Sequence, residues 1–358
     1  MLAALGLARR GLGQVWPNPT VGCVLVQGDR VVGRGRTGPG GRPHAETAAL
    51  LQAGDAAVGA TAYISLEPCC HHGKTGPCVE ALINAGVRRA VVAAKDPDPR
   101  VAGKGLQTLS SHGIEVTYGV FEQEASELNA GFFHRIHLGR PLVTLKIATS
   151  LDGRIATHRG ESQWITGPEA RAVGHRLRAE ADAIMVGTGT VLQDNPELTC
   201  RLHGQERRSP IRLVVDGRLR IPLTSKLVAS ARETPTWVIT GLGSDADRRN
   251  ALKQCHVEVL EVKRSKEEKV DLLAAFLELG RLGLTRVLVE GGAHLTAELL
   301  RAGLVDRLVC FRAPLLLGGD AVPAAVSFGV DRLADSPRFI RLGLDEAGKD
   351  IVEYFARA

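Results

Sequence analysis

Leu66-Glu67-Pro68-Cys69-Cys70-His71-His72-Gly73-Lys74-Thr75-Gly76-Pro77-Cys78 is the stretch on which the reading of this chain turns. The residues before it, 61–66, are short and largely apolar, as a buried strand is, and Pro77 opens a helical pattern that runs to residue 85. A strand that empties into cysteines and histidines and then a helix is a metal-site pattern on an α/β frame. His44-Ala45-Glu46 stands upstream, at the start of another helical pattern over 45–53.

Three protein ligands, one open position for water and a carboxylate that moves protons without binding the metal are what zinc-dependent deamination requires. His44 and two thiolates fill the ligand count, and Glu46 is the candidate general acid–base. Cys78 falls in the first turn of its helix, where free N–H groups and the dipole favour a thiolate. Cys69, Cys70, His71 and His72 compete for the remaining place. Cys69 is taken because it directly follows Pro68, as in the general deaminase signature; the wide gap to Cys78 departs from the Cys-x-x-Cys of that signature. The rival is a closed structural site made of His44 with three of Cys69, Cys70, Cys78 and a histidine.

The chain has 358 residues, enough for two domains, with 44% hydrophobic and 23% charged residues. No stretch approaches the ~18 apolar residues of a membrane helix, so no membrane partner is expected. The opening residues place Arg9 and Arg10 after the apolar run, the reverse of a secretory signal, and read as a half-buried first helix of a cytoplasmic protein. A net charge of +6 with only 4% aromatic residues suits a phosphorylated small molecule better than nucleic acid. A homo-oligomer is allowed by this composition. Seven cysteines without a secretion signal argue against a disulfide framework, and Cys23, Cys200, Cys255 and Cys310 read as buried small hydrophobes.

Further strands are expected at 21–26 and 31–35, paired around Gly28-Asp29, and at 89–94 and 115–118. Helices are expected at 105–111 and, unbroken, at 122–135. Leu138-Gly139-Arg140-Pro141 interrupts the pattern and marks the junction between domains 1–139 and 140–358. The second half shows buried strands at 142–148, 183–187, 211–216, 236–240, 257–262 and 286–290. It adds helices at 169–178, 270–282 and 295–302, and a terminal antiparallel pair, 338–344 with 350–356. It lacks a Gly-x-Gly-x-x-Gly after its first strand, but Gly187-Thr188-Gly189-Thr190 and Gly291-Gly292 are turns where backbone N–H groups can approach an anion.

Pro17-Asn18-Pro19-Thr20-Val21-Gly22-Cys23-Val24, His44-Ala45-Glu46, Leu66-Glu67-Pro68-Cys69 with its long loop to Cys78, and Lys95-Asp96-Pro97 together resemble the bifunctional riboflavin-biosynthesis deaminase/reductase family. Ser150-Leu151-Asp152-Gly153, the run 160–166, Asp194-Asn195-Pro196 and Glu290-Gly291-Gly292 extend the likeness over essentially the whole chain. The long cysteine gap is that family's own spacing. The resemblance implies a cytidine-deaminase-like three-layer α/β domain followed by a dihydrofolate-reductase-like domain. It implies Zn2+ on His44, Cys69 and Cys78, hydrolytic deamination of 2,5-diamino-6-ribosylamino-4(3H)-pyrimidinone 5′-phosphate, and then NADPH-dependent reduction of the ribosyl group to ribityl. Asn18 stands where the family meets the pyrimidine. NADP contacts are implied at Ala148, Trp164, Thr190 and Asp194, and along Gly292, Ala293, His294, Leu295, Thr296, Ala297 and Glu298. Substrate contacts are implied at Ser162, Arg178, Leu198, Arg201 and Glu290, with the arginines as phosphate partners. Gly217 stands where the family often has serine. The family usually has a few more residues before its first helix, so Met1 reads as a shortened start. Lys146 and Asp152 are polar residues beside the expected pocket, and neither is assigned as proton donor.

Overall fold

The computed structural model describes residues 1–73 and 76–358; Lys74 and Thr75, in the loop between the two candidate sulfur ligands, lie outside the described residues. The chain divides into two compact units, Met1–Arg140 and Pro141–Ala358.

The first unit runs α1 (Leu2–Arg9), β1 (Gly22–Gln27), β2 (Arg30–Arg36), α2 (Ala45–Ala53), β3 (Thr61–Leu66), α3 (Cys78–Asn84), β4 (Arg89–Ala94), α4 (Lys104–Ser111), β5 (Glu115–Tyr118), α5 (Glu122–Leu128) and α6 (Ala130–Leu138). Its sheet has the order β2-β1-β3-β4-β5, antiparallel from β2 to β3 and parallel from β3 to β5. Two glycines let helices close on opposite faces. A Cβ on Gly22 would lie 1.9 Å from the Ala4 carbonyl oxygen of α1, and one on Gly35 would lie 2.0 Å from the Ala45 carbonyl oxygen of α2. Gly22 pairs with Arg36 and Gly35 with Cys23, so the pleat turns the two glycines to opposite sides. Three layers result, around a core that includes Cys23, Leu25, Ile64, Leu82 and Val92.

The single helix expected over 122–135 is two helices. Asn129 separates them because its side chain is committed elsewhere: Oδ1 accepts from the Thr20 amide at 2.9 Å, while Nδ2 donates to the Ala125 carbonyl at 3.4 Å.

The second unit runs β6 (Leu142–Thr149), β7 (Arg154–Ala156), α7 (Pro168–Glu180), β8 (Ala183–Gly187), α8 (Thr188–Asp194), β9 (Ile211–Val215), α9 (Lys226–Ala229) and β10 (Thr236–Gly241). There follow α10 (Ala246–Gln254), β11 (Glu258–Val262), α11 (Leu272–Arg281), β12 (Arg286–Val289), α12 (Ala293–Arg301), β13 (Arg307–Arg312), β14 (Val322–Pro323), β15 (Phe339–Ala347) and β16 (Asp350–Arg357). The large sheet has the order β11-β10-β9-β8-β12-β6-β13-β16-β15, parallel through β13 and closed by the antiparallel β16 and β15. Buried carboxylates staple the N-terminal ends of its central strands. Asp182 accepts from the amides of Thr285 (2.7 Å) and Arg286 (2.9 Å), and Asp306 accepts from the Val143 amide (2.8 Å). The C-terminal ends of β6, β8 and β12, where the strand order reverses, are left to build a crevice, as in open parallel sheets generally.

Candidate active sites

In the first unit, His44 is the N-cap of α2 and Cys78 the first residue of α3, so two helix starts deliver two ligands to one point. The ring and the sulfurs of Cys69 and Cys78 all lie within 4.8 Å of one another. His44 Nδ1 is 3.2 Å from Cys78 Sγ and 3.6 Å from Cys69 Sγ, and the Cys78 amide donates to Cys69 Sγ at 3.3 Å. Two sulfurs and one imidazole converging on a common centre are a zinc donor set with one position to spare, so the residues present fit that ion.

The electrostatics follow from the crowding. The Cys69 thiol is lowered to about 4, first by the hydrogen bond with Cys78 and then by His44, against the opposing effect of burial. Cys78 is pushed up in turn, first by its hydrogen bond with the Cys69 sulfur and then by burial. Glu46 is buried in the first turn of α2 and lies in hydrogen-bond contact with the Cys78 side chain. Burial, joined by the Cys69 sulfur, pushes its carboxyl up to about 7.

Two of the competitors, Cys70 and His72, turn elsewhere, and His71 is not part of the converging donor group. Cys70 Sγ is directed at the Arg100 carbonyl, 3.6 Å away, and His72 faces Glu80 at 3.7 Å. Glu67 is part of the motif without being part of the metal group. Its carboxylate accepts from the amides of Asp96 (3.2 Å), Gly103 (2.9 Å) and Leu106 (3.2 Å), and so fixes the start of α4 behind the cysteine loop. Asn18 donates to the Gly41 carbonyl at 3.3 Å and so props the segment leading to His44.

In the second unit a cavity of about 560 Å³ opens at the ends of β6, β8 and β12. Ala148, Ser162, Trp164, Arg178, Thr190, Asp194, Arg201 and Glu290 all line it, as do Gly292, Ala293, His294 and Leu295. Leu198 does not; it is buried in the core beside Val191 and Leu227. Thr296, Ala297 and Glu298 also lie off this cavity, because α12 turns them away from it: Thr296 and Ala297 are buried, and Glu298 pairs with Lys269 and Arg301.

The polar centre of this cavity is an ion-paired trio. Arg178 donates from Nε to Glu290 Oε1 (2.7 Å) and from Nη2 to Oε2 (2.9 Å), and Lys146 Nζ lies 3.7 Å from the same carboxylate. Burial alone would raise Glu290, but Arg178 and Lys146 outweigh it and hold the carboxyl at about 2. Arg178 is thus a bidentate carboxylate partner in the structure, with Nη1 on the Thr199 carbonyl at 3.0 Å. Lys146 also lies over the Phe311 ring, 5.2 Å from its centroid. Asp152 is occupied with a turn, accepting from Ser150 Oγ (2.5 Å) and the Gly318 amide (2.8 Å).

Gly291 and Gly292 lead into α12 without a side-chain cap, so the first N–H groups of that helix face the cavity mouth. Trp164 is exposed, with the Arg171 guanidinium stacked 4.6 Å from its ring centroid. An uncapped helix start, a flat ring at the rim and a cation beside the cavity floor fit a phosphorylated dinucleotide such as NADPH. Arg171 and His175, which also line the cavity, carry no motif in the sequence; only the 3.6-residue spacing from Arg171 through His175 to Arg178 along α7 hints at a shared face.

Residues 1–94 match the family model described as the cytidine and deoxycytidylate deaminase zinc-binding region, and residues 141–352 match the RibD C-terminal domain. The riboflavin biosynthesis protein RibD of Aquifex aeolicus is 42% identical over 357 residues, covering 100% of this chain and 97% of its own. Among solved structures, Acinetobacter baumannii RibD superposes with a TM-score of 0.88 at 39% identity, covering 100% of this chain and 97% of that one. A diaminohydroxyphosphoribosylaminopyrimidine deaminase/5-amino-6-(5-phosphoribosylamino)uracil reductase from Thermotoga maritima gives 0.87 at 33%, with the same coverage. The chain belongs to the RibD family of riboflavin-biosynthesis enzymes, which join a zinc-binding deaminase region to a reductase domain.

Proposed function

We propose that the first unit hydrolytically deaminates 2,5-diamino-6-ribosylamino-4(3H)-pyrimidinone 5′-phosphate, and that the second reduces the ribosyl side chain of the product with NADPH, giving 5-amino-6-(5-phosphoribitylamino)uracil. The observation that carries the first half is the buried Glu46 carboxyl beside a His44–Cys69–Cys78 donor set. In this reading residues 1–139 form the deaminase domain and 140–358 the reductase domain. His44, Cys69 and Cys78 hold zinc, which supplies an activated water at neutral pH by lowering its pKa from ~15.7 towards ~7. Glu46, poised near neutrality, would take a proton from that water and pass it to the ring nitrogen, then take the proton of the newly formed C–OH as the C–N bond breaks and hand it to the departing ammonia. Asn18 reads the pyrimidine from the prop it makes with Gly41.

NADPH supplies the hydride in the second half. Trp164, Thr190 and Asp194, with the Gly292–Leu295 turn, orient the dinucleotide, and Glu290 with Arg178, Ser162 and Arg201 positions the sugar. Glu290 stays anionic and accepts from sugar hydroxyls, with the Lys146 Nζ 3.7 Å from the same carboxylate. The setting is the cytoplasm, where two of the seven thiols stay reduced to hold a metal, and the ligand is a free phosphorylated pyrimidine. A homo-oligomer is compatible with this reading.

The test is incubation of the purified protein with the diaminopyrimidine phosphate and NADPH, following ammonia and absorbance together. Ammonia release followed by NADPH oxidation is expected; oxidation without ammonia contradicts the order of the two steps.

A further inference from the structure

Trp164 lies at the rim of the cavity in the second unit, on the segment that joins β7 to α7, and it is 63% exposed. An indole left in water adds little to the stability of a fold. The segment is nonetheless fixed at both ends. At one end Gln193 Nε2 donates to the Gly160 carbonyl at 3.0 Å, and the Thr157 amide donates to the Glu161 carbonyl at 2.9 Å. At the other end Asp350, buried at the start of β16, accepts from the Gly167 amide at 2.6 Å. These bonds set the backbone on either side of Trp164, and none of them touches its ring.

The ring itself is held by Arg171. The guanidinium lies over the indole, 4.6 Å from the ring centroid, and its Nη1 donates to the Thr166 carbonyl at 2.8 Å. A planar guanidinium can stack and donate in its own plane at once, which an ammonium cannot do. The stack covers one face of the indole and leaves the other open. Helix α7 makes the arrangement a rigid one. Arg171 and Arg178 lie two turns apart along it, roughly 10 Å by the rise of an α-helix. Arg178 is fastened to Glu290 at the crevice floor, so one helix spaces the rim ring from the polar centre of the cavity.

We propose that Arg171 is a positioning residue of the reductase: it fixes the Trp164 ring as the wall against which a flat ring of NADPH stacks, and it acts on the dinucleotide through that ring alone. This rests on the reading of the cavity as the NADPH site. With Arg171 over its far face, the indole meets the dinucleotide already in place. Without the guanidinium the ring turns about its side-chain bonds and has to be ordered when the dinucleotide binds, which weakens binding.

The test is a double-mutant cycle on the full-length, zinc-loaded protein, read as the dissociation constant for NADPH by fluorescence titration. Arg171→Ala should weaken NADPH binding about tenfold, and Trp164→Ala by at least as much. Added to Trp164→Ala, Arg171→Ala should cost less than about twofold more, because its route to the dinucleotide is gone. Arg171→Lys keeps a cation without the fork and should fall between the wild-type protein and Arg171→Ala. Equal losses from Arg171→Ala with and without Trp164 overturn the proposal, since the arginine then touches the ligand itself or supports the fold at large. Wild-type affinity in Arg171→Ala, or in Arg171→Lys together with Arg171→Ala, overturns it as well. Those outcomes leave the NADPH reading of the cavity standing. A wild-type protein that binds no NADPH, or a Trp164→Ala variant that binds it undiminished, overturns the reading on which the proposal rests.

Discussion

Cys69 and Cys70 are neighbours with opposite fates, and the difference is one of direction: one sulfur faces His44 and Cys78, the other the Arg100 carbonyl. Cys69→Ser should abolish stoichiometric zinc, whereas Cys70→Ala should leave one zinc per chain by metal analysis. Glu46→Gln should eliminate ammonia release, a loss of at least ~10²-fold for a removed acid–base group, and leave NADPH oxidation on already deaminated substrate intact. Ammonia release at the wild-type rate by that variant contradicts the proton-shuttle role.

A pH signature belongs to Glu290, whose carboxyl sits at about 2 against an ordinary value of 4.5. Because the folded value is the lower one, its contribution to stability is fully present above ~4.5 and is lost as pH falls through about 2. The size is on the order of 3 kcal/mol. Urea unfolding from pH 5 downward should therefore show a steeper loss for the wild-type protein than for Glu290→Gln. Parallel slopes would contradict this assignment.

Among the elements, α2 carries most of the deaminase machinery, since its N-cap is His44 and its first turn holds Glu46. Its seat is Gly35, where a Cβ would lie 2.0 Å from the Ala45 carbonyl oxygen and 2.6 Å from the Ala49 nitrogen. Backbone cannot yield as a side-chain tip does, so Gly35→Ala should cost ~1–3 kcal/mol or more. It should also reduce zinc content while sparing NADPH oxidation. Full zinc occupancy and unchanged thermal stability in Gly35→Ala would show that the helix has room to move.

Element by element, the periodic segments were readable and the exceptions have physical reasons. The expected ranges 45–53, 61–66, 89–94, 115–118 and 183–187 match α2, β3, β4, β5 and β8. The break at Asn129 was not, because it depends on Thr20, far away in sequence. Helix α10 buries only Leu252 and therefore shows no apolar stripe. Gly187-Thr188-Gly189-Thr190 reads as a turn, yet its last three residues open α8. At the sites, spacing named His44, Glu46 and Cys78 directly, and the choice of Cys69 over Cys70 needed the signature as well. Along α12 the likeness names residues 296–298, and the turn of the helix carries them off the cavity at the ends of β6, β8 and β12, with Glu298 lining a neighbouring one.

For the molecule as a whole, two chemistries on two compact units predict that one can be silenced without the other. Chelation of zinc in the full-length protein should stop ammonia release and spare NADPH oxidation on the deaminated pyrimidine. Readdition of zinc should restore the first activity. Loss of both on chelation would mean that the metal supports the reductase as well.

The central claim concerns the metal's coordination, and X-ray absorption at the zinc edge of the full-length protein reads it most directly. The account predicts two sulfurs at ~2.3 Å, one imidazole nitrogen at ~2.0–2.1 Å and one further oxygen donor that no side chain supplies. A third sulfur, or a second histidine in place of that oxygen, would contradict it.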